Sequence, residues 1–235
     1  MLRFQQYLEE GVNDPAIFKA VFLAGGPGSG KSFIVGKTGL TSMGYKVVNS
    51  DDAFEAAMKK ADMKMTPDNI FSPKGQELRG KAKRLTGTKQ ARYIKGRLGL
   101  VVDGTGKDPE KIARQAQKIQ TLGYKVAMIF VNTDLDTALK RNRMRERSLP
   151  DAEVEAYWKA VQRNTGKFQR MFGKENFLVV DNSEGKNYEK ETLRAYRDVR
   201  KFTDQPHNKK AQKWIDTEKA AIRQAGRSRG GSGSR

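Results

Sequence analysis

A glycine-rich stretch near the start of the chain carries the residue types that bind phosphate. It satisfies the spacing G-x-x-x-x-G-K-[ST] with the residues Gly25, Gly26, Pro27, Gly28, Ser29, Gly30, Lys31 and Ser32. Glycines in such a loop let backbone N–H groups point at a β-phosphate with no side chain in the way. Lys31 adds a positive charge for the β- and γ-phosphates, and the Ser32 hydroxyl is suited to bind Mg²⁺. The spacing therefore predicts a site for ATP and Mg²⁺.

The sequence on either side of this loop distinguishes it from a glycine-rich turn that binds nothing. The apolar run KAVFLAG, from Lys19, predicts a strand before the loop, and SFIVGKTG predicts the start of a helix after it. A phosphate-binding loop needs that strand–loop–helix context. The positive end of the helix dipole would add to the attraction for phosphate.

Two adjacent carboxylates follow the second apolar run, in the segment VVNSDDAFE. One of them is predicted to accept the proton of a hydroxyl acceptor, a role worth about 10²–10⁴ in rate. The residues alone leave open which of Asp51 and Asp52 is the base and which binds the acceptor. The structural alternative is that Asp51 or Ser50 caps the helix that begins AFEAAMKKA. One aspartate can cap while the other reacts.

The segment LVVDGTGKD offers a third carboxylate. Asp103 ends an apolar strand, a position from which it would contact Mg²⁺ through water. Gly104 and Gly106 leave room for a ligand, while Thr105 and Lys107 offer polar contacts to the acceptor. The alternative is an ordinary turn after a strand.

The segment LKRNRMRERSLPD is rich in arginine. Arg141 and Arg145 are four residues apart, as are Arg143 and Arg147, so a helix would place each pair on one face. With the helix predicted in DAEVEAYWKAVQRN, this favours a helix–turn–helix lid whose arginines neutralise charge on the transferring phosphate. An arginine in that role is worth about 10³–10⁵ in rate. The alternative is a solvated basic helix.

These segments need a scaffold that brings them together. Five apolar runs predict buried strands: KAVFLAG from Lys19, YKVVNS from Tyr45, LGLVVDG from Leu98, YKVAMIFVN from Tyr124 and NFLVVDN from Asn176. Continuous apolar character is typical of parallel strands covered on both faces. The stretches between them are long enough for helical crossovers, such as DPEKIARQAQKIQTLG. The sequence predicts an α/β fold with a doubly wound, parallel five-stranded sheet whose strand ends line one crevice.

Together these segments resemble the P-loop kinase group that contains zeta toxins and polynucleotide 5′-hydroxyl kinases. NSDD is similar to the Asn-x-Asp-Asp of polynucleotide kinases, whose first Asp is the general base, and this implies that role for Asp51. RNRMR looks like the Arg-Asn-x-x-Arg of the same family, which implies lid roles for Arg141 and Arg145. DGTGKD is closer to the zeta-like kinases, which implies acceptor contacts for Asp103 and Thr105.

The resemblance covers about residues 17–184. VVDNS after the last strand resembles the loop that passes the adenine in these kinases, which implies that Asn182 and Ser183 lie near the base. The chain departs from the group where Phe54 and Glu55 follow the paired Asp, since polynucleotide kinases have an Arg there. The basic insertion at 53–97 matches neither kinase. The resemblance thus implies the use of ATP and leaves the acceptor open.

Composition excludes several other kinds of site. The chain has no cysteine and a single histidine, His207, which we predict to be a polar loop residue. Disulfides, thiolate catalysis, a Ser-His-Asp triad and a histidine-built metal site are therefore excluded. No apolar run predicts a membrane span, and a cytoplasmic location is favoured. The 46 Lys and Arg against 27 Asp and Glu give a net charge of +19. This charge favours contact with a polyanion such as DNA, or serves solubility alone.

The N-terminal segment, residues 1–14, has a further resemblance. LRFQQYLEEG is similar to the capsid-targeting peptides of large contractile-tailed phages, with cleavage implied between Glu10 and Gly11. The alternative is an amphipathic helix that packs on the body of the protein. If the chain is phage-encoded, the host cytoplasm or the virion is its expected location, and phage head proteins are expected partners.

The chain becomes polar and basic from about residue 205. One helix face is predicted to carry Ala211, Trp214, Ile215, Ile222 and Ala225. The closing GRSRGGSGSR predicts a disordered tail. We therefore divide the chain into the N-terminal segment, a kinase-like domain at 15–204 and a basic extension at 205–235.

The sequence as a whole predicts an ATP-dependent phosphotransferase. The acceptor would be a hydroxyl of a nucleotide, a nucleotide sugar or a nucleic-acid end. The alternative is an ATP-binding, DNA-associated or virion structural protein without kinase turnover.

Overall fold

The computed structural model describes residues 11–145 and 148–230. The strands within these residues are β1 Lys19–Ala24, β2 Lys46–Val48, β3 Leu100–Val102, β4 Lys125–Asn132 and β5 Phe177–Asp181. The helices within them are α1 Lys31–Lys37, α2 Ser50–Lys60, α3 Pro67–Phe71, α4 Pro73–Lys95, α5 Pro109–Gln120, α6 Leu135–Arg143, α7 Asp151–Phe172, α8 Tyr188–Thr203 and α9 Lys209–Gly230. The strands form a parallel sheet in the order β2-β3-β1-β4-β5. The predicted α/β fold is confirmed.

The central strand shows why the apolar runs are continuous. Every residue of β1 is buried. Ala20 and Phe22 belong to one apolar cluster, whereas Val21 and Leu23 belong to a second. Successive side chains of a strand point to opposite faces of the sheet, so both faces of β1 must be apolar.

The parallel arrangement places the predicted site segments at one edge of the sheet. The glycine-rich loop at 25–32, named the phosphate loop from here on, follows β1, the paired aspartates follow β2, and Asp103 follows β3. The segment at 182–187 follows β5 on the opposite side of the loop. Because all strands run in the same direction, these segments meet at the carboxyl ends of the strands, where open parallel sheets bind their ligands.

The basic insertion folds into helices beside β2. Helices α2, α3 and α4 pack around their own apolar cluster, whose buried members are Phe54, Met58, Ile70, Leu78 and Ala82. The Arg79 guanidinium lies 5.1 Å from the centroid of the Phe54 ring. The paired aspartates begin α2, so this helical unit flanks the side of the site where the acceptor is predicted.

The C-terminal helix α9 packs at the edge of the sheet where the strands begin, opposite the phosphate loop. Ala211 and Ile215 are buried, and Trp214 makes an edge-to-face contact with Phe18 at 5.4 Å between ring centroids. The predicted apolar face of this helix is confirmed. The helix continues to Gly230, into the stretch predicted to be a disordered tail. Residues 231–235 and the targeting segment at 1–10 lie outside the described residues. None of the described helices combines the length and apolar character that a membrane span requires.

Lys19 leads to a prediction about stability and pH. Its side chain is fully buried, its ammonium donates to the Gln205 carbonyl oxygen, and it lies 5.6 Å from the centroid of the Phe202 ring. Burial, together with the charge of Lys125, lowers the pKa of Lys19 from 10.5 to about 8. The unfolded chain therefore binds more protons than the folded chain between these two values. The contribution of Lys19 to stability must rise with pH across that window.

The variant Lys19→Met removes this titrating group. Between pH 8 and 10.5 we expect the free energy of unfolding of the wild type to gain roughly 1–3 kcal/mol relative to the variant. Urea denaturation at several pH values measures this difference. Burial raises the pKa of Tyr45 and Tyr124, which lowers stability at high pH, but the effect is common to both proteins and cancels. Parallel stability curves for the two proteins would contradict the prediction.

Candidate active site

The predicted phosphate-binding residues form a tight loop between β1 and α1. Gly28 and Gly30 have φ angles of 75° and 82°. A Cβ atom on Gly30 would lie 2.3 Å from Asn182 Nδ2, and one on Gly28 would lie 2.3 Å from the Ala138 carbonyl oxygen. Both conformation and space therefore require glycine at these positions. The buried Ser29 hydroxyl has no hydrogen-bond partner among the described residues, which is typical of a group that a ligand satisfies.

Asn182 braces this loop from the end of β5. Its side-chain amide donates to the Ser29 carbonyl oxygen at 2.8 Å, and its backbone N–H donates to the Asn132 carbonyl oxygen at 2.9 Å. Its own carbonyl oxygen accepts from the Arg141 guanidinium at 2.8 Å. The amide predicted to lie near the base thus contacts the phosphate loop itself and fixes its shape.

Lys31 folds back over the loop. Its ammonium donates to the Gly25 carbonyl oxygen at 2.7 Å and to the Gly26 carbonyl oxygen at 3.4 Å. Burial lowers the pKa of Lys31; the carboxylates of Asp103 and Asp51 oppose this effect, and the Arg145 guanidinium adds to it. Three groups predicted from three separate segments therefore lie close enough to Lys31 for their charges to act on it.

Asp103 is the most enclosed of the three carboxylates. Its Oδ1 atom is buried and has no hydrogen-bond partner within the part of the chain that the structure describes. Burial raises its pKa, the nearby Lys31 ammonium lowers it, and the carboxylates of Asp51 and Asp52 raise it. A buried carboxylate oxygen without a partner, together with the Ser32 hydroxyl at the start of α1, is a donor set that Mg²⁺ accepts with phosphate oxygens and water. The residues present fit the predicted metal.

The residue that caps α2 is neither Ser50 nor Asp51, the two caps predicted from the sequence. Asn49 is the capping residue, since its side-chain oxygen accepts from the Asp51 N–H at 2.8 Å. Its amide nitrogen also donates to the Asp52 carboxylate at 2.9 Å. The expectation that Ser50 or Asp51 caps the helix is wrong, because β2 ends at Val48 and makes Asn49 the last extended residue.

The two aspartates consequently differ. Both are exposed at the first turn of α2, and both charges raise the pKa of Asp103, but only the Asp51 charge also acts on the pKa of Lys31. Asp52 is held by the Asn49 amide, and its pKa is raised by partial burial and by the neighbouring Asp51 and Glu55. The difference that the structure shows is the Asn49 cap, which orients the Asp52 carboxylate and uses only the backbone N–H of Asp51.

The loop after β3 lies between the phosphate loop and α7. The Thr105 carbonyl oxygen accepts from the Gly25 N–H at 3.1 Å. The Asn164 amide donates to the carbonyl oxygens of Gly106 at 3.0 Å and Lys107 at 3.1 Å. The Lys107 ammonium lies 4.3 Å from the centroid of the Tyr157 ring. The side chains of Thr105 and Lys107 remain exposed, as acceptor contacts require.

The prediction that one helix carries both arginine pairs is wrong. Helix α6 ends at Arg143, so Arg145 lies beyond it and shares no helical face with Arg141. Asn142 stops the helix, because its buried side chain exchanges two hydrogen bonds with the Leu149 backbone, at 2.7 and 3.1 Å. The Arg143 guanidinium pairs with Asp151. Arg147 lies outside the described residues.

In the helix–connection–helix arrangement of α6 and α7, Arg141 lies beside the phosphate loop. Arg141 contacts Asn182, which braces the phosphate loop, and the Arg145 charge acts on Lys31. His207 lies in the loop between α8 and α9, as predicted, and packs against Phe18.

Three side chains that position the site have no role in the predictions from the sequence. Asn49 caps α2, Asn164 holds the loop after β3, and Trp158 donates from its indole N–H to the Thr133 carbonyl oxygen at 2.7 Å. Asn49 stands within the NSDD segment, so a signal for it was present. The partners of Asn164 are 57 and 58 residues away in sequence, and no local pattern indicates them.

Comparison with known protein families identifies the family of this chain. Residues 21–170, from β1 through the phosphate loop and the paired aspartates to most of α7, match the sequence model of a family described as AAA domain. The chain belongs to the AAA domain family. This AAA domain has no match among curated proteins.

Solved structures share the P-loop kinase-like fold of this AAA domain. The PezAT chromosomal toxin–antitoxin system of Streptococcus pneumoniae is 13% identical with a TM-score of 0.53, over 85% of this chain and 96% of that chain. The AvrRxo1-ORF1:AvrRxo1-ORF2 structure with sulphate ions is 17% identical with a TM-score of 0.53, over 77% of this chain and 62% of that chain. The AvrRxo1-ORF1:-ORF2 structure with ATP is 16% identical with a TM-score of 0.52 over the same shares, 77% and 62%. At these identities the likeness concerns the fold.

Proposed function

We propose that this AAA domain protein is an ATP-dependent phosphotransferase that moves the γ-phosphate to a hydroxyl group. One observation carries the proposal: the phosphate loop, Asp51 and Asp103 follow parallel strands at one edge of the sheet, and Arg141 contacts Asn182, which braces the loop. A phosphate grip, a proton acceptor, a metal-binding carboxylate and a charge-neutralising arginine are the parts that phosphoryl transfer requires.

In this proposal the phosphates of ATP lie on the loop at 25–32. Lys31 leaves the carbonyl oxygens of Gly25 and Gly26 and binds the β- and γ-phosphates. Ser32 and Asp103 would hold Mg²⁺, which when bound would neutralise charge on the phosphate oxygens. These contacts hold the γ-phosphate in position before the reaction. Such positioning of the reacting groups is a major source of the rate gain in phosphoryl transfer.

Transfer then follows an in-line displacement. The acceptor oxygen forms a bond to the γ-phosphorus while the bond from that phosphorus to the β,γ-bridging oxygen breaks, and ADP leaves. Asp51 accepts the proton of the acceptor hydroxyl. Asp52, Thr105 and Lys107 bind the rest of the acceptor, and Arg145 stabilises the charge that spreads over the transferring oxygens.

The acceptor is proposed to be a nucleotide, a nucleotide sugar or a nucleic-acid end. The helical unit beside Asp51 supports an anionic acceptor, because α4 carries eight Lys or Arg against one acid, Glu77, a difference of +7. A positively charged helix attracts phosphate-bearing substrates.

The experiment is a labelling panel. The full chain is incubated with Mg²⁺, γ-labelled ATP and, separately, nucleotides, nucleotide sugars and 5′-hydroxyl oligonucleotides. We expect one class to become labelled, and Lys31→Ala to abolish the label. ATP binding with no labelled acceptor would reject the transferase. Release of labelled phosphate without an acceptor would identify an ATPase.

A second candidate is an ATP-binding, DNA-associated or virion structural protein, with phage head proteins as partners. The basic C-terminal helix favours it, since α9 lies at the end of the sheet opposite the phosphate loop and carries exposed Lys209, Lys210 and Lys213. The labelling panel separates the two candidates. The cytoplasm or the virion is then the proposed location.

A further inference from the structure

Two aromatic side chains beside the phosphate loop are exposed. Phe33 directly follows Ser32 and is 42% exposed, and Tyr188, the first residue of α8, is 50% exposed. Their ring centroids are 6.0 Å apart at an interplanar angle of 67°. The Lys37 ammonium lies 5.7 Å from the centroid of the Phe33 ring. Single exposed apolar residues are ordinary, but two large rings in contact next to a ligand site call for a partner.

The pair lies on a defined side of the loop. Phe33 faces α8, which follows β5 at one end of the sheet. The carboxylates of Asp51 and Asp103 follow β2 and β3, on the other side of β1. A nucleotide whose phosphates lie on the loop must direct its nucleoside to one of these two sides. The carboxylates and the acceptor occupy the side of β2 and β3. The nucleoside must therefore lie on the other side, next to Phe33 and Tyr188.

The segment between β5 and α8 forms a braced frame around this side. The Ser183 hydroxyl donates to Asp181 at 2.7 Å and accepts from the Asp134 N–H at 2.9 Å. Glu184 pairs with Lys140 at 2.6 Å. The frame ties the segment before α8 to α6, and Tyr188 begins α8 four residues beyond Glu184.

We propose that Phe33 and Tyr188 bind the nucleobase of the nucleotide held on the phosphate loop. This inference rests on the proposed function, since it needs a nucleotide on the loop. A base presents a flat π-face that stacks on an aromatic ring, and such stacking tolerates different bases because every base has that face. The pair therefore supplies affinity for the nucleoside portion, independently of the phosphate contacts.

The test compares two ligands that share the phosphate chain and differ in the base. Dissociation constants for ATP and for inorganic tripolyphosphate are measured by calorimetry with Mg²⁺, on the full chain. We expect the wild type to prefer ATP, and Phe33→Ala and Tyr188→Ala each to weaken ATP binding roughly 5- to 150-fold. Binding of tripolyphosphate should stay unchanged. Phe33→Trp should retain the preference for ATP, because it keeps an aromatic face.

A matched control lies on the same helix. Leu193 is 56% exposed on α8, five residues beyond Tyr188 and on a different side of the helix. Leu193→Ala should change neither dissociation constant. Equal affinity of the wild type for ATP and tripolyphosphate would overturn the base site and leave the phosphate loop intact as a site. If Phe33→Ala weakened the binding of ATP and tripolyphosphate equally, the base site would also be overturned, because the substitution would then act by disturbing the phosphate loop. If the wild type binds neither ligand, the proposed function fails as well.

Discussion

Replacing Arg145 by alanine is expected to lower kcat for phosphate transfer by about 10³–10⁵, the worth of an arginine that stabilises the charge of a phosphoryl-transfer transition state. Arg145 follows the end of α6, and its charge acts on Lys31, the residue proposed to bind the γ-phosphate. The interaction strengthens as charge develops on the transferring oxygens. The loss should therefore appear in kcat, with the dissociation constant of ATP changed far less.

Arg143→Ala is the matched control for this variant. Arg143 is two residues away and exposed, and its guanidinium pairs with Asp151. Exposed ion pairs contribute little, about 0–1 kcal/mol. Single-turnover rates of the two variants with the acceptor found in the labelling panel make the comparison. If Arg143→Ala lost as much rate as Arg145→Ala, the segment would act through its fold, and the role assigned to Arg145 would be wrong.

Replacing Asp51 by asparagine is expected to lower the rate of transfer by about 10²–10⁴, the contribution of a positioned general base. Asparagine keeps the size of the side chain and cannot accept the proton. The Asn49 cap uses the backbone N–H of Asp51, so the substitution leaves that hydrogen bond in place and α2 should stay folded. ATP should bind as well as to the wild type, which calorimetry can check.

Asp52→Asn distinguishes the two carboxylates. Asp52 accepts a hydrogen bond from the Asn49 amide, so we expect a smaller loss of rate, expressed mainly in the KM of the acceptor. The result that contradicts the assignment is a larger loss in Asp52→Asn than in Asp51→Asn. Asp52 would then be the base, and Asp51 would bind the acceptor.

Some of the site followed from local sequence alone. The phosphate loop is fixed by the spacing of Gly25, Gly30 and Lys31, because backbone that wraps a phosphate excludes side chains at set positions. The strands followed from continuous apolar runs, since a parallel strand is buried on both faces. Parallel strands then bring their carboxyl ends to one edge, so the meeting of Asp51, Asp103 and the loop could be expected.

The ends of two helices could not be predicted from local sequence, because they depend on neighbouring parts of the structure. Asn49, Ser50 and Asp51 are all good helix caps, and the end of β2 at Val48 decided among them. The spacing of Arg141 and Arg145 suits a helix face, yet the hydrogen bonds of Asn142 to Leu149 end that helix at Arg143. Local helix propensity is weak, and hydrogen bonds to a residue seven positions further along the chain outweigh it.

Local patterns in the amino-acid sequence were enough to predict the phosphate loop, the parallel sheet and the edge of the sheet where the carboxylates lie. The side chains that hold this edge in shape became visible only in the folded chain, such as Asn182 on the Ser29 carbonyl oxygen and Asn164 on the loop after β3. The distance along the chain explains the difference. Periodicity and spacing report the neighbours of a residue within a few turns, whereas Asn182 and Ser29 are 153 residues apart and meet only when the sheet has formed.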